Sequence, residues 1–249
     1  PEKARRLLTG APEGRFMGET EAKEVLSAYG LPVIRTVTAK TEEDASRVGR
    51  DIGYPLVMKV ISPQVVHKSD AGGVITGIRS VSEAETAFDT ILRNVKAFDP
   101  SAIISGFIIE QQKEKGLEIL IGGRIDPTFG KIITVGMGGT LVELIKDVSI
   151  RVLPVSTSDI NAMIQELGAY GLIKGFRNEP ARDVAALIAL IESVARLFLE
   201  SPEVVEFDLN PVLLYEKGAC VVDARFYVTD VVAIPGGNLE PAMPAGILN

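Results

Sequence analysis

Leu56-Val57-Met58-Lys59-Val60-Ile61 is a short apolar run with one lysine in it, and it leads into Ser62-Pro63-Gln64-Val65-Val66-His67-Lys68-Ser69-Asp70-Ala71-Gly72-Gly73-Val74. Six residues rich in apolar and β-branched side chains, closed by Ser-Pro, read as a strand rather than a helix. Alternation puts Leu56, Met58 and Val60 on one face and Val57, Lys59 and Ile61 on the other. Lysine is seldom buried unless paired, and a ligand phosphate would be such a partner. An edge-strand lysine that reaches water is the alternative. His67 is the only histidine of the chain, and imidazole is the side chain whose ordinary pKa leaves it largely neutral, hence nucleophilic, near neutral pH. The pair Gly72-Gly73 lets a backbone fold tightly, over an anion or simply in a hairpin turn. A second strand is expected at 74–79, so His67 and the glycines would share a hairpin loop. No Gly-Lys-Ser or Gly-Lys-Thr follows and a strand comes next, which excludes a Walker A loop.

Working outward, a helix is expected at 19–29, stopped by Gly30 and Pro32. Thr41 is placed to cap a second helix that carries Glu42, Glu43 and Asp44 in its first turn and ends at Gly53. Ser82 with Glu85 suggests a capping box for a third helix through Phe88, Ile91, Leu92 and Val95. Strands are expected at 33–38, 103–111, 118–123, 131–135 and 141–145. Ser158 is placed to cap a helix to Leu167, and Pro180 suits the first turn of a long helix reaching Glu200. That helix is apolar nearly all the way round, which predicts deep burial. A hairpin at 206–215 and 220–228 closes the chain before a Pro/Gly-containing extension at 231–249. Strands and helices mix without strict βαβ alternation, so the expected class is α+β.

Composition narrows the function. The chain has 249 residues, 46% hydrophobic and 24% charged, which is ordinary for a folded protein and enough for one large domain or two lobes. A net charge of -7, with no long basic run, argues against a nucleic-acid partner. One cysteine, Cys220, excludes an intramolecular disulfide. With no apolar leader and no spanning run, the expectation is a cytoplasmic protein with no membrane association.

The final hairpin carries a second polar cluster. Asp208 and Asn210 share a face, Asp223 and Arg225 share a face of the return strand, and a four-residue turn would place Asn210 diagonal to Asp223. An amide and a carboxylate suit Mg²⁺, which takes one or two protein oxygens; a solvated polar face is the plainer alternative. Ile108-Ile109-Glu110-Gln111-Gln112 reads as a hinge between lobes or as a strand running into a charged turn.

Taken in order, the strand lysine, the glycine hairpin, the acidic hinge, the segment Gly138-Gly139-Thr140-Leu141-Val142-Glu143 and the Asn-Pro/Asp hairpin resemble the ATP-grasp fold. Together with Tyr54-Pro55 before the strand and Asp126-Pro127-Thr128-Phe129-Gly130, they resemble most the β subunit of ADP-forming acetyl-CoA synthetase, a relative of succinyl-CoA synthetase. The resemblance implies an ATP-grasp fold of two lobes with the nucleotide between them: a smaller lobe at 18–102 and a larger one from 1–17 plus 103–230. It implies that Lys59 contacts nucleotide phosphates and that Gly72 and Gly73 close over them. Glu110 and Gln112 would line the adenine, Glu118 would lie near the ribose, and Asn210 and Asp223 would hold Mg²⁺. His67 would carry phosphate between subunits and Asp208 would orient a phosphohistidine. The implied reaction is acyl-CoA + ADP + phosphate to carboxylate + CoA + ATP. An α subunit would hold the CoA-binding and acyl-phosphate site, in an α2β2 assembly. Two other readings stay open: an ATP-grasp carboxylate–amine ligase using a direct acyl phosphate, and a regulatory nucleotide-binding module of an acyltransferase.

Overall fold

Two antiparallel sheets organise the chain, each the centre of its own compact unit. One unit is Ile34–Glu114; the other gathers Pro1–Val33 and Lys115–Asn249. The computed structural model describes residues 2–9, 14–65, 67–139, 147–177 and 179–229. The strand expected at 141–145, the residues from Thr140 to Glu143 and the extension at 231–249 lie outside the described residues.

In the Ile34–Glu114 unit the strands are β2 (Thr36–Ala39), β3 (Leu56–Ile61), β4 (Val74–Ile78) and β5 (Gly106–Gln111), in the sheet order β2-β5-β3-β4. Helices α3 (Glu42–Ile52) and α4 (Val81–Phe98) lie on one face. That face is apolar: Leu56, Met58, Val60, Phe107, Ile109 and Ala39 join Ala45, Ala84, Ala87, Phe88, Ile91 and Val95 in one core. The Phe88 and Phe107 rings meet at 4.2 Å. The period-2 reading of 56–61 is borne out, with the expected apolar set turned to the helices.

In the second unit, α1 (Glu2–Thr9) and α2 (Glu19–Ala28) accompany β1 (Arg15–Phe16), β6 (Leu117–Asp126), β7 (Gly130–Met137), β8 (Val148–Val152), β9 (Val204–Leu214), β10 (Ala219–Val221) and β11 (Arg225–Val228). The sheet runs β1-β11-β9-β6-β7-β8, with β10 also paired to β9. Helices α5 (Thr157–Glu166), α6 (Tyr170–Lys174) and α7 (Val184–Glu200) complete it. Phe198, Phe207 and Phe226 form a chain of rings in its core, 5.2 and 6.0 Å apart.

Several expectations need correction. The smaller unit begins after Val33 and ends at Glu114, rather than spanning 18–102. Ala22, Val25 and Leu26 of α2 bury in the larger unit's core, and β5 bonds to both β2 and β3 at the centre of the smaller sheet. The α4 cap is Ser80, whose Oγ accepts the Glu83 N–H, and Glu83 in turn accepts the Arg79 N–H. The α5 cap is Ser156, in a reciprocal box with Asp159. Both caps lie earlier than the serines the pattern suggested, because serines at 80 and 82, and at 156 and 158, present the same local signal. Helix α7 starts at Val184 behind an Asp183 cap, not at Pro180, and it keeps an exposed side at Ala185, Ala189, Glu192 and Arg196. Strand β8 and helix α6 were not expected. No helix among the described residues is long and apolar enough to cross a membrane.

Candidate functional site

Lys59 sits mid-strand in β3, on the face turned away from α3 and α4. It is 9% exposed, so its charge is nearly dry. Its Nζ lies 3.0 Å from Oε2 of Glu110, itself 1% exposed. The other carboxylate oxygen, Oε1, accepts the Thr36 hydroxyl at 2.6 Å. The register explains the grouping: Glu110 pairs with Val57 on one side and with Thr36 on the other. Period-2 alternation then brings Lys59 onto the same face. An unpaired lysine in this position would lose its proton or drag in water, and the carboxylate offsets that cost. The side chain of Glu110 therefore faces Lys59, and 106–111 is a strand, one of the two readings of this run.

The loop between β3 and β4 is bonded within itself. The Gly72 N–H donates to Ser69 O at 3.0 Å and the Gly73 N–H to Lys68 O at 2.7 Å. The glycines therefore shape the loop, with both N–H groups bonded within it. Gly72 has φ +61, and a Cβ there would press on Asn94, whose Nδ2 donates to Gly72 O at 3.2 Å. A Cβ at Gly73 would stand 2.7 Å from Val60 Cγ1 and 2.9 Å from Lys68 O. His67 is exposed on this loop, and its carbonyl accepts the Ala71 N–H. Gln112 is also committed: its N–H donates to Pro55 O at 2.8 Å and its Oε1 accepts the Gly77 N–H at 2.6 Å. It pins the bulged strand β4 rather than projecting from a hinge.

The larger unit holds the other candidates. Glu118, exposed near the start of β6, receives the Gly138 N–H on its carbonyl at 2.7 Å, so the Gly138-Gly139 turn packs against it. Asp208 lies on β9 opposite Gly122 of β6 and Arg225 of β11. Burial pushes its carboxyl up to about 6, Arg225 pulls it down, and the charges of Asp223 and Glu206 push it further up. Glu206, opposite Arg124, is likewise raised by burial and lowered by that arginine. Beside Asp208 the hairpin is irregular. Asn210 and Pro211 together oppose Leu120 where the β6–β9 register shifts, and the return strand is interrupted between β10 and β11. The expected continuous return strand is thus two strands, with Asp223 in the gap, its Oδ1 accepting the Ala224 N–H. The bulge faces the gap, and Asn210 and Asp223, both half-buried, bring an amide oxygen and a carboxylate to this part of the hairpin, hard oxygens of the kind Mg²⁺ takes. Among the described residues no group of three or more His, Cys, Asp or Glu could hold a metal, so a cation here would draw on this pair, water and ligand oxygens.

Within each unit the predicted residues fall into groups: Lys59 with Glu110, His67 with the glycines, and Asp208 with Asn210 and Asp223. Thr36 was missed. It reaches Glu110 across a sequence separation of 74, which no local pattern reports. Glu206 was missed as a charged neighbour of Asp208, although it lies only two residues away and alternation puts both on one face.

An ATP-grasp domain model matches residues 11–228. The chain is 44% identical over 224 residues to the β subunit of acetate–CoA ligase [ADP-forming] I of Pyrococcus furiosus, covering 90% of this chain and 97% of that subunit. The Archaeoglobus fulgidus acetate–CoA ligase [ADP-forming] I is 40% identical over 93% of this chain, which spans 34% of its length. Acetyl-coenzyme A synthetase 1 of Ca. Korarchaeum cryptofilum, in complex with coenzyme A, Ca-AMPCP and HgCl+, matches with a TM-score of 0.83 and 44% identity over 86% of this chain and 93% of that one. Another structure of that enzyme, with coenzyme A and Mg-AMPPCP, has its phosphohistidine segment pointing towards the nucleotide binding site; its TM-score is 0.78, at 39% identity over 90% of this chain and 99% of that one. By the family model and by identity along nearly the whole of a β subunit, this chain belongs to the ATP-grasp family, among the β subunits and equivalent domains of ADP-forming acetate–CoA ligases.

Proposed function

We propose that this chain is the nucleotide-binding β subunit of an ADP-forming acyl-CoA synthetase and makes ATP from acyl-CoA, ADP and phosphate together with an α subunit. The observation that carries this reading is that the chain covers 97% of a β subunit of that activity at 44% identity. The α subunit binds CoA and forms the acyl phosphate, in an α2β2 assembly in the cytoplasm.

Phosphoryl transfer asks a protein chiefly for positioning and charge neutralisation. In this reading Lys59 meets the nucleotide phosphates, and the loop closed by Gly72 and Gly73 keeps water from them. Glu110 and Gln112 line the adenine, and Glu118 lies near the ribose. Asn210 and Asp223 hold Mg²⁺, which offsets negative charge on the phosphates. Exposed His67 carries the phosphoryl group. A neutral ring nitrogen of His67 attacks the phosphorus of the partner's phosphohistidine, forming one P–N bond as the partner's P–N bond breaks; the terminal oxygen of ADP then attacks that phosphorus, forming a P–O bond as the P–N bond to His67 breaks. Asp208 orients a phosphohistidine by accepting from the ring nitrogen that carries no phosphorus.

The test is His67→Ala assembled with the α subunit. Mg-ADP should still bind while ATP synthesis from acetyl-CoA and phosphate is lost. Wild-type protein with γ-labelled ATP should acquire acid-labile, base-stable label. Full steady-state ATP synthesis by the variant would remove His67 from the pathway. ATP binding without ADP phosphorylation in any assembly would favour a regulatory module, and amide formation without labelled protein a carboxylate–amine ligase.

A further inference from the structure

We propose that Thr36 and Glu110 are positioning residues for Lys59: the hydroxyl aims the carboxylate, and the carboxylate keeps the buried lysine charged and directed while the nucleotide site is empty. The proposal rests on the reading above, in which Lys59 meets nucleotide phosphates. It follows from three observations within one sheet. The lysine is 9% exposed and the carboxylate 1% exposed, so neither charge is supported by bulk water. The Nζ–Oε2 separation is 3.0 Å and the Thr36 Oγ1–Oε1 distance is 2.6 Å, so each carboxylate oxygen has its own partner. The three residues come from three neighbouring strands, β2, β5 and β3, whose register leaves them on one face.

Physically, burial favours the neutral amine, and a carboxylate in contact favours the ammonium. An ammonium has three N–H donors, so a bond to Glu110 directs it without exhausting it. A strand-borne lysine with a fixed direction spends little side-chain entropy when an anion arrives. Thr36 matters because a carboxylate with one unsatisfied buried oxygen would turn away from Lys59 to find another partner.

The experiment measures Mg-ADP affinity by isothermal titration, in wild type and in Glu110→Gln, which keeps the acceptor for Thr36 but removes the charge. Wild-type affinity should be nearly flat from about pH 7.5 to about pH 9.5, whereas the variant should weaken about tenfold over that range as Lys59 loses its proton. Adding Lys59→Met to Glu110→Gln should abolish that slope; a slope that persists in the double variant overturns the proposal. If Glu110→Gln does not fold, Thr36→Val serves instead, with a slope in the same direction of about threefold. Variant profiles parallel to wild type overturn the positioning role alone and leave the nucleotide reading intact. A wild type that binds no Mg-ADP overturns that reading and this proposal with it.

Discussion

Replacing Asp208 by asparagine should stabilise the protein at neutral pH while ending phosphoryl transfer. In the folded protein the carboxyl holds its proton up to about 6, because burial outweighs the attraction of Arg225 and because Asp223 and Glu206 oppose its charge. In the unfolded chain it ionises near 3.8. Between those values the folded state binds more protons than the unfolded one, so stability falls as pH rises through the window and stays low above it. Holding a carboxyl at about 6 instead of 3.8 corresponds to about 3 kcal/mol against the charged form. Partial contact with water trims the measurable part to about 2 kcal/mol. The asparagine side chain has a similar shape and never ionises, so Asp208→Asn should match wild type at about pH 3 and exceed it by about 2 kcal/mol at about pH 7.5. The assay is denaturant unfolding without nucleotide, followed by circular dichroism at several pH values, beside the carbon-13 carboxyl shift of Asp208. Glu206 titrates in both proteins and cancels to first order. A stability difference independent of pH, or a carboxyl shift that moves near 4, would refute the argument.

Other expectations follow from packing. Gly73→Ala should destabilise by about 1–3 kcal/mol, seen as a lower denaturation midpoint, because its Cβ would meet Val60 and the Lys68 carbonyl. Phe207→Ala should cost about 3–5 kcal/mol, since a ring 1% exposed between Phe198 and Phe226 would leave a cavity. Ser156→Ala should cost about 1 kcal/mol through loss of the α5 cap, and Ser158→Ala nearly nothing, which discriminates between the two serines in thermal unfolding.

The parts of the site legible in the chain were those written locally. Alternation in 56–61 identified β3 and the faces of its residues, and Thr41 and Gly53 marked the ends of α3. The final hairpin was legible as two strands with a polar face, though not the break in its return strand. What local reading could not supply was partnership. Glu110 looked like a hinge residue because it lies at the end of an apolar run, and only its position between β2 and β3 shows that its carboxylate belongs to Lys59. The glycine pair read either as a fold over an anion or as a hairpin turn, and only the structure shows its N–H groups bonded to Ser69 and Lys68 and its missing side chains making room for Asn94 and Val60.

By itself the sequence determined the strands and helices whose signals lie within one or two turns of chain: periodicity, caps and turn glycines act over distances that few residues span. It also carried the motifs of the ATP-grasp family. Only the tertiary structure decided where the units divide, why β5 belongs with β2 and β3, and which charges neutralise one another. Those outcomes depend on strand pairing across long separations, where sheet register, not neighbourhood in the chain, sets what a buried lysine or carboxylate touches.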